Sequence, residues 1–191
     1  MLDTFRDFVL SCVYSQMWNR SRILETARLR LRPLTVADGG DLHRLFTLPG
    51  VRKYLWDDEI IPLERAAVLV EASVSSFEAH GHGLWAVSLP NDDALIGFCG
   101  FWPLHEPPQL ELLYGLSSDH WHRGLATEAA NAMIRYGFDV LGFERIEAST
   151  DAANAASVRV MERAGLRFWK RELTNGLDTI YYAIDRTQPL G

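Results

Sequence analysis

The stretch Glu111-Leu-Leu-Tyr114-Gly-Leu116, followed after a short loop by Trp121-His-Arg-Gly124-Leu-Ala126-Thr-Glu128-Ala129, decides how this chain folds. Its first half is an apolar strand. Its second opens a helix whose apolar residues Ala130, Met133, Ile134, Phe138 and Leu141 recur at helical spacing. A glycine and a small residue at a helix start let backbone N–H groups come close to a ligand. The free amides and the helix dipole there favour an anion such as a pyrophosphate. Arg123 adds a charge-assisted donor. No Gly-Lys-Ser/Thr follows, so this is not a Walker loop, nor is it a dinucleotide Gly-x-Gly-x-x-Gly. Taken alone, the same pattern also describes a packed strand–helix turn.

Working outward, Ile23–Pro33 alternates Leu29 and Leu31 with arginines and reads as a strand. Thr35-Val-Ala-Asp38 has the form of a helix cap, and Pro49-Gly50 stops the helix that follows. A longer helix is predicted from Pro62 to about His80, ended by Gly81. Strands follow at Leu84–Leu89 and Leu95–Phe101, then a proline-rich irregular loop, Trp102–Pro108. Beyond the helix at 124–141 come a strand at Arg145–Thr150 and a short helix at Asn154–Ala164. A closing hairpin, Arg167–Leu173 with Thr179–Ile184, turns at Asn175-Gly176. Strands outnumber helices, which predicts an α+β fold with a mixed, mostly antiparallel twisted sheet flanked by helices on both faces.

The 191 residues suit one domain, at 23–185, with an N-terminal extension at 1–22 and a tail at 186–191. A 48% apolar and 23% charged composition describes an ordinary globular protein. The net charge of −6 disfavours a nucleic-acid partner and mildly favours a cationic one. Cys12 and Cys99 are too few for a disulfide framework, and Cys99 reads as a small buried residue. No apolar run approaches a membrane span, and Phe8–Tyr14 makes a poor signal peptide, so a cytoplasmic address is expected. The histidines lack ligand spacing, and no metal site is expected.

A second segment, Asn154-Ala-Ala-Ser157 through Ala164-Gly165-Leu166, follows the next strand. With the first, it resembles the GNAT superfamily of acetyl-CoA-dependent N-acetyltransferases. The branch that acetylates ribosomal-protein N-terminal alanine or serine is the most similar. The opening Thr26-Ala-Arg-Leu-Arg-Leu-Arg-Pro-Leu with Asp38 matches that branch too. The resemblance implies a GNAT-like acyltransferase fold and acetyl-CoA as co-substrate. The backbone around Tyr114, Gly115 and Leu116 would pair with the pantetheine arm. The amides of Trp121, His122, Arg123, Gly124, Leu125 and Ala126 would hold the pyrophosphate, with Thr127 nearby. Asn154 would bond the pantetheine end.

Direct attack on a thioester requires a neutral amine. An N-terminal amine with pKa near 8 is about a tenth neutral at pH 7, whereas a lysine amine needs a stronger base or a desolvating site. Candidate bases are Glu111 on the strand and Glu172 ahead of the hairpin turn, where the branch places a carboxylate. Where many family members carry a proton-donating tyrosine, this chain has Met161. Ser157 matches the serine to which the ribosomal-protein branch assigns thiolate stabilisation; it also suits a helix-start hydroxyl. Acceptor selection is expected from Tyr54, Trp56, Asp57, Asp58 and Glu59 and from Trp102, His105 and Glu106. The acceptor is a protein N-terminus or a small-molecule amine, and the closing hairpin offers a possible homodimer edge. A non-catalytic acyl-CoA-binding module is the competing reading, favoured by Met161.

Overall fold

The computed structural model describes residues 23–105, 108–174 and 176–187. The expected N-terminal extension with Cys12, the acceptor candidate Glu106, the turn residue Asn175 and the end of the tail lie outside the described residues.

The predicted first strand is a small hairpin instead. β1 (Leu24–Glu25) pairs antiparallel with β2 (Arg30–Pro33), because Thr26 turns the chain by bonding back to Leu29. The cap at Thr35 forms as its spacing predicts. Asp38 turns back to accept from the Thr35 N–H (2.7 Å) and Oγ1 (2.8 Å), and its carboxylate also takes a bidentate pair from Arg32 on β2. A 3-10 turn, Val36–Asp38, then leads into α1 (Gly39–Thr47).

Pro49-Gly50 ends α1 as expected but also opens a helix the sequence reading lacked, α2 (Pro49–Leu55). Proline at N1 loses nothing there, since that N–H has no helical partner. α3 (Leu63–His80) ends at Gly81 with φ 77°, as expected.

β3 (Leu84–Ser88) is buried along its whole length. Leu84 and Ala86 face the helices α1, α2 and α3 through Leu42, Phe46, Val51 and Val70. Trp85 and Val87 face the opposite layer, including Met133 and Ile134. Helices therefore cover both faces of the sheet, which is why this strand reads as an unbroken apolar run.

β4 (Gly97–Leu104) extends through Pro103, where a loop was expected. Its pairing with β3 ends at Gly100, so residues 101–104 have a strand partner on one side alone, β5 (Gln109–Leu116). A proline is tolerated at such an edge because no ladder donor is required of it.

α4 (Leu125–Asp139) lies under this sheet, followed by β6 (Arg145–Asp151) and α5 (Ala155–Arg163). The hairpin of β7 (Arg167–Thr174) and β8 (Leu177–Asp185) closes the chain. The α+β architecture stands, with the sheet divided into two antiparallel parts, β1-β2-β3-β4-β5 and β6-β8-β7. Among the described residues the edges of β5 and β6 that face one another carry no ladder between them. That separation positions the site. A bulge at Trp169 shifts the β7 register and places Lys170, Glu172 and Thr174 opposite Tyr181, Thr179 and Leu177.

Candidate active site

A cavity of about 850 Å³ runs between the two sheets, from the start of α4 to the β4–β5 turn. At one end Gly124 is the N-cap of α4 with φ 74°, a left-handed conformation that favours glycine. Leu125, Ala126 and Thr127 line the cavity with the first-turn amides that no helical carbonyl can satisfy. Gly50 meets this end from α2. A Cβ there would fall 2.5 Å from the Trp121 ring, so any other residue would have to displace that ring. Trp121 is held by donating Nε1–H to the Leu116 carbonyl (2.8 Å).

The loop is braced from outside. Glu128 accepts from Thr26 Oγ1 (2.5 Å) and from the Arg28 N–H (2.9 Å) and Nε (2.7 Å), while Arg28 Nη1 donates to the Arg123 carbonyl (2.7 Å). Burial raises the Glu128 carboxyl, but the bonds from Thr26 and Arg28 outweigh it and hold the group below the usual range.

Midway along the cavity, β5 and α5 meet through two hydroxyls. Tyr114 Oη lies 2.8 Å from Ser157 Oγ and 3.1 Å from the Ser157 carbonyl. Burial pushes the Tyr114 phenol well above its ordinary value, so it stays protonated. Asn154 caps α5, its Oδ1 accepting from the Ser157 N–H (3.2 Å) and its Nδ2 donating to Thr150 Oγ1 (3.0 Å). The capping role open to Ser157 thus belongs to Asn154, leaving the serine hydroxyl to Tyr114.

At the far end Glu111 is fully buried. Its Oε1 lies 3.0 Å from His105 Nε2, which is also 3.0 Å from Ser149 Oγ. Burial pushes the Glu111 carboxyl up, and Ser149 and His105 offset part of that rise. Tyr54, Asp57 and Asp151 form the adjoining wall. Burial, with Asp57 and Asp178 nearby, raises the Asp151 carboxyl.

Most of the sequence candidates converge here: Tyr114, Gly115, Leu116, Trp121, His122, Gly124, Leu125, Ala126, Thr127, Asn154 and Ser157 line the cavity, as do Tyr54, Asp57 and His105. Seven are placed differently: the acceptor candidates Trp56, Asp58, Glu59 and Trp102 do not line the cavity, and nor do Arg123, Glu111 and Glu172. Arg123 is exposed and off the wall, and among the described residues only its carbonyl is engaged, by Arg28. Glu111 lies behind the wall, with His105 and Ser149 in front of it. Glu172 lies off the wall, half-exposed and paired with Lys170 Nζ (2.6 Å), though on the same sheet face as Thr174 and Thr179.

The sequence reading missed Arg159 and Arg163, which line the cavity from α5. Their i, i+4 spacing after Asn154 was the available signal. Met161 is 1% exposed and packed in the core, so its side chain does not face the cavity. Cys99 is buried, as expected. Among the described residues no three His, Cys, Asp or Glu side chains gather as a metal site, and no helix is long and apolar enough to cross a membrane.

The sequence profile of the acetyltransferase (GNAT) domain matches residues 28–167. The chain is 30% identical over 152 residues to the uncharacterized N-acetyltransferase p20 of Bacillus licheniformis, spanning 78% of this chain and 84% of that protein. The crystal structure of the acetyltransferase from Agrobacterium tumefaciens strain C58 matches with a TM-score of 0.74 at 25% identity, covering 86% of this chain and 94% of that one. RimL, the ribosomal L7/L12 alpha-N-protein acetyltransferase solved in complex with coenzyme A, matches with a TM-score of 0.71 at 18% identity, covering 86% and 98%. The likeness to RimL is one of fold alone. Fold and profile together define an N-acetyltransferase, and the chain belongs to the GNAT family, which uses acetyl-CoA.

Proposed function

We propose that this cavity is the ternary-complex site of an N-acetyltransferase that moves an acetyl group from acetyl-CoA directly to a primary amine, either a protein N-terminus or a small molecule. One observation carries the reading. A single cavity joins the free amides of α4 to the His105–Ser149 end, passing the Tyr114–Ser157 hydroxyl pair on the way.

The residues present fit acetyl-CoA. The Gly124 turn and the amides of Leu125–Thr127 suit the pyrophosphate, with Arg159 and Arg163 as nearby cations. The unladdered edge of β5 at Tyr114–Leu116 suits the pantetheine amides, as an added strand would. His120 Nδ1 and the Asn154 side chain add polar groups along that path, His120 Nδ1 being buried without a partner among the described residues. The co-substrate supplies an activated acyl carbon and a thiol leaving group.

The amine lone pair attacks the thioester carbon, a C–N bond forms, and the C–S bond breaks with its electron pair on sulfur. Ser157 Oγ–H donates to that sulfur while the one hydrogen of the Tyr114 phenol, which has both the Ser157 carbonyl and Oγ within reach, turns to Ser157 Oγ. A thiol pKa near 8.5 means that hydrogen bonding without full proton transfer is enough. Met161 therefore does not disable the site, because the hydroxyls come from β5 and the start of α5. Of the two carboxylates, Glu111 belongs to the base side. Glu172 stays outside the chemistry, in its pair with Lys170. Asp57 and Asp151 favour a cationic acceptor entering from their side.

The test is thiol release. Purified protein with acetyl-CoA should liberate free thiol with at least one of Ala- and Ser-initiated tetrapeptide amides, glycinamide, putrescine or an aminoglycoside. Calorimetric binding of acetyl-CoA with no release across that set would overturn catalysis and leave a binding module.

A further inference from the structure

We infer that His105 is the catalytic base of the acetyl transfer, with the buried Glu111 as its positioning residue. This rests on the acetyl-transfer reading above. Glu111 has no exposed surface, so its carboxylate cannot touch an amine in the cavity. His105 does line the cavity, just past the end of β4, where its backbone takes a left-handed φ of 68°.

The ring has two ends with different partners. Nε2 faces Glu111 Oε1 and Ser149 Oγ, both at 3.0 Å. With its hydrogen on Nε2 the ring donates to Ser149 Oγ, beside a Glu111 carboxyl whose two oxygens have no hydrogen-bond partner among the described residues, and the lone pair is left on Nδ1. No partner occupies Nδ1 among the described residues. A held acceptor at one ring nitrogen with a free lone pair at the other is an arrangement that orients an imidazole for proton abstraction. The ring is held in place by Tyr181, whose centroid lies 5.5 Å away.

Charged groups surround it from each packed element. Glu111 lies on β5 and Glu147 on β6. Lys170, 4.0 Å over the Tyr181 ring, and Glu172 lie on β7 beside Tyr181 of β8. In the reaction an ammonium acceptor gives one proton to His105 Nδ1 and becomes the nucleophile. After attack, the second nitrogen proton goes to the departing sulfur. The imidazolium then returns its proton to water, leaving amide, thiol and one released proton.

The experiment uses the full chain, acetyl-CoA and whichever amine of the panel releases thiol with the wild type. His105→Ala should lower kcat by about a hundredfold or more while leaving calorimetric acetyl-CoA affinity within about threefold. Added imidazole should restore roughly tenfold of the lost rate, which a merely structural histidine would not allow. Glu111→Gln should lower kcat about tenfold while leaving the KM for the amine and the acetyl-CoA affinity within about threefold, a split that a merely structural carboxyl would not give. His105→Ala with kcat within about threefold of wild type would overturn the assignment. So would a loss of rate without imidazole rescue, or a kcat unchanged in Glu111→Gln. A wild type that binds acetyl-CoA but releases no thiol refutes the acetyl-transfer reading itself, a distinct outcome.

Discussion

If Tyr114 acts on the leaving group through Ser157, the two hydroxyls must be energetically coupled, and a double-mutant cycle measures that coupling. Ser157→Ala removes the group that would donate to the developing thiolate. A hydrogen bond to a charged partner contributes about 2 kcal/mol, so kcat should fall roughly thirtyfold. Tyr114→Phe removes the donor 2.8 Å from Ser157 Oγ. That neutral bond contributes about 1 kcal/mol, or roughly fivefold in kcat. The same phenol hydrogen has the Ser157 carbonyl as its other acceptor, at 3.1 Å, so the variant loses one hydrogen bond, about 1 kcal/mol of stability, and should melt about 2–4 °C lower. The double variant should be no slower than Ser157→Ala, because the tyrosine has nothing left to support. The coupling is then about 1 kcal/mol. The assay is initial-rate thiol release under saturating acetyl-CoA, with the acetyl-CoA Kd followed separately. Effects that multiply, giving roughly 150-fold in the double variant, would refute the coupling. An unchanged kcat in Tyr114→Phe alone would do the same.

Glu128→Gln should weaken acetyl-CoA binding roughly tenfold by calorimetry with kcat little altered, since it loosens the Arg28 brace on the loop and touches no reacting atom. Asp38→Ala should cost about 3 kcal/mol, a fall of about 6–12 °C in melting temperature, because Arg32 and Thr35 lose their acceptor. Burial raises the Asp38 carboxyl but the bonds from Arg32 and Thr35 outweigh it, so its folded value lies below the unfolded one. Its stabilisation is therefore present above the unfolded pKa and lost as pH falls through the folded value. Urea melts of Asp38→Ala and wild type should converge in acid and differ at neutral pH. Glu172→Gln should leave kcat within about threefold, and a larger loss would restore it as a candidate base. Gly124→Ala should cost about 1–2 kcal/mol from its left-handed φ and weaken acetyl-CoA affinity, both measurable in one thermal-shift titration.

The cofactor half of the site was legible because it is local. Gly124 with its following amides, and Asn154 with Ser157, each lie within one strand–helix junction, where spacing along the chain is also spacing in space. Arg123 and Arg159 show the limit of that rule. Each is near a strand–helix junction in sequence, Arg123 in the loop before α4 and Arg159 just past the start of α5, yet only Arg159 lines the cavity, because helical periodicity directs it there while Arg123 is exposed. α2 was hidden by Pro49, which reads as a stop signal and here also serves as a start. Pro103 reads as a loop residue and lies in a strand, because the neighbouring strand ends at Leu84, opposite Gly100.

By itself the sequence determined the Gly124 turn and the placing of Ser157 at a helix start, since local propensity and short-range spacing decide those, and its resemblance to the GNAT superfamily supplied the fold. Only the tertiary structure decided which groups meet. Tyr114 reaches a hydroxyl 43 residues away. His105 stands between the cavity and a buried Glu111, beside a serine 44 residues on. Met161 is turned into the core. These meetings depend on the register of two sheets that share no ladder, and side-chain packing across that gap leaves no periodic trace along the chain.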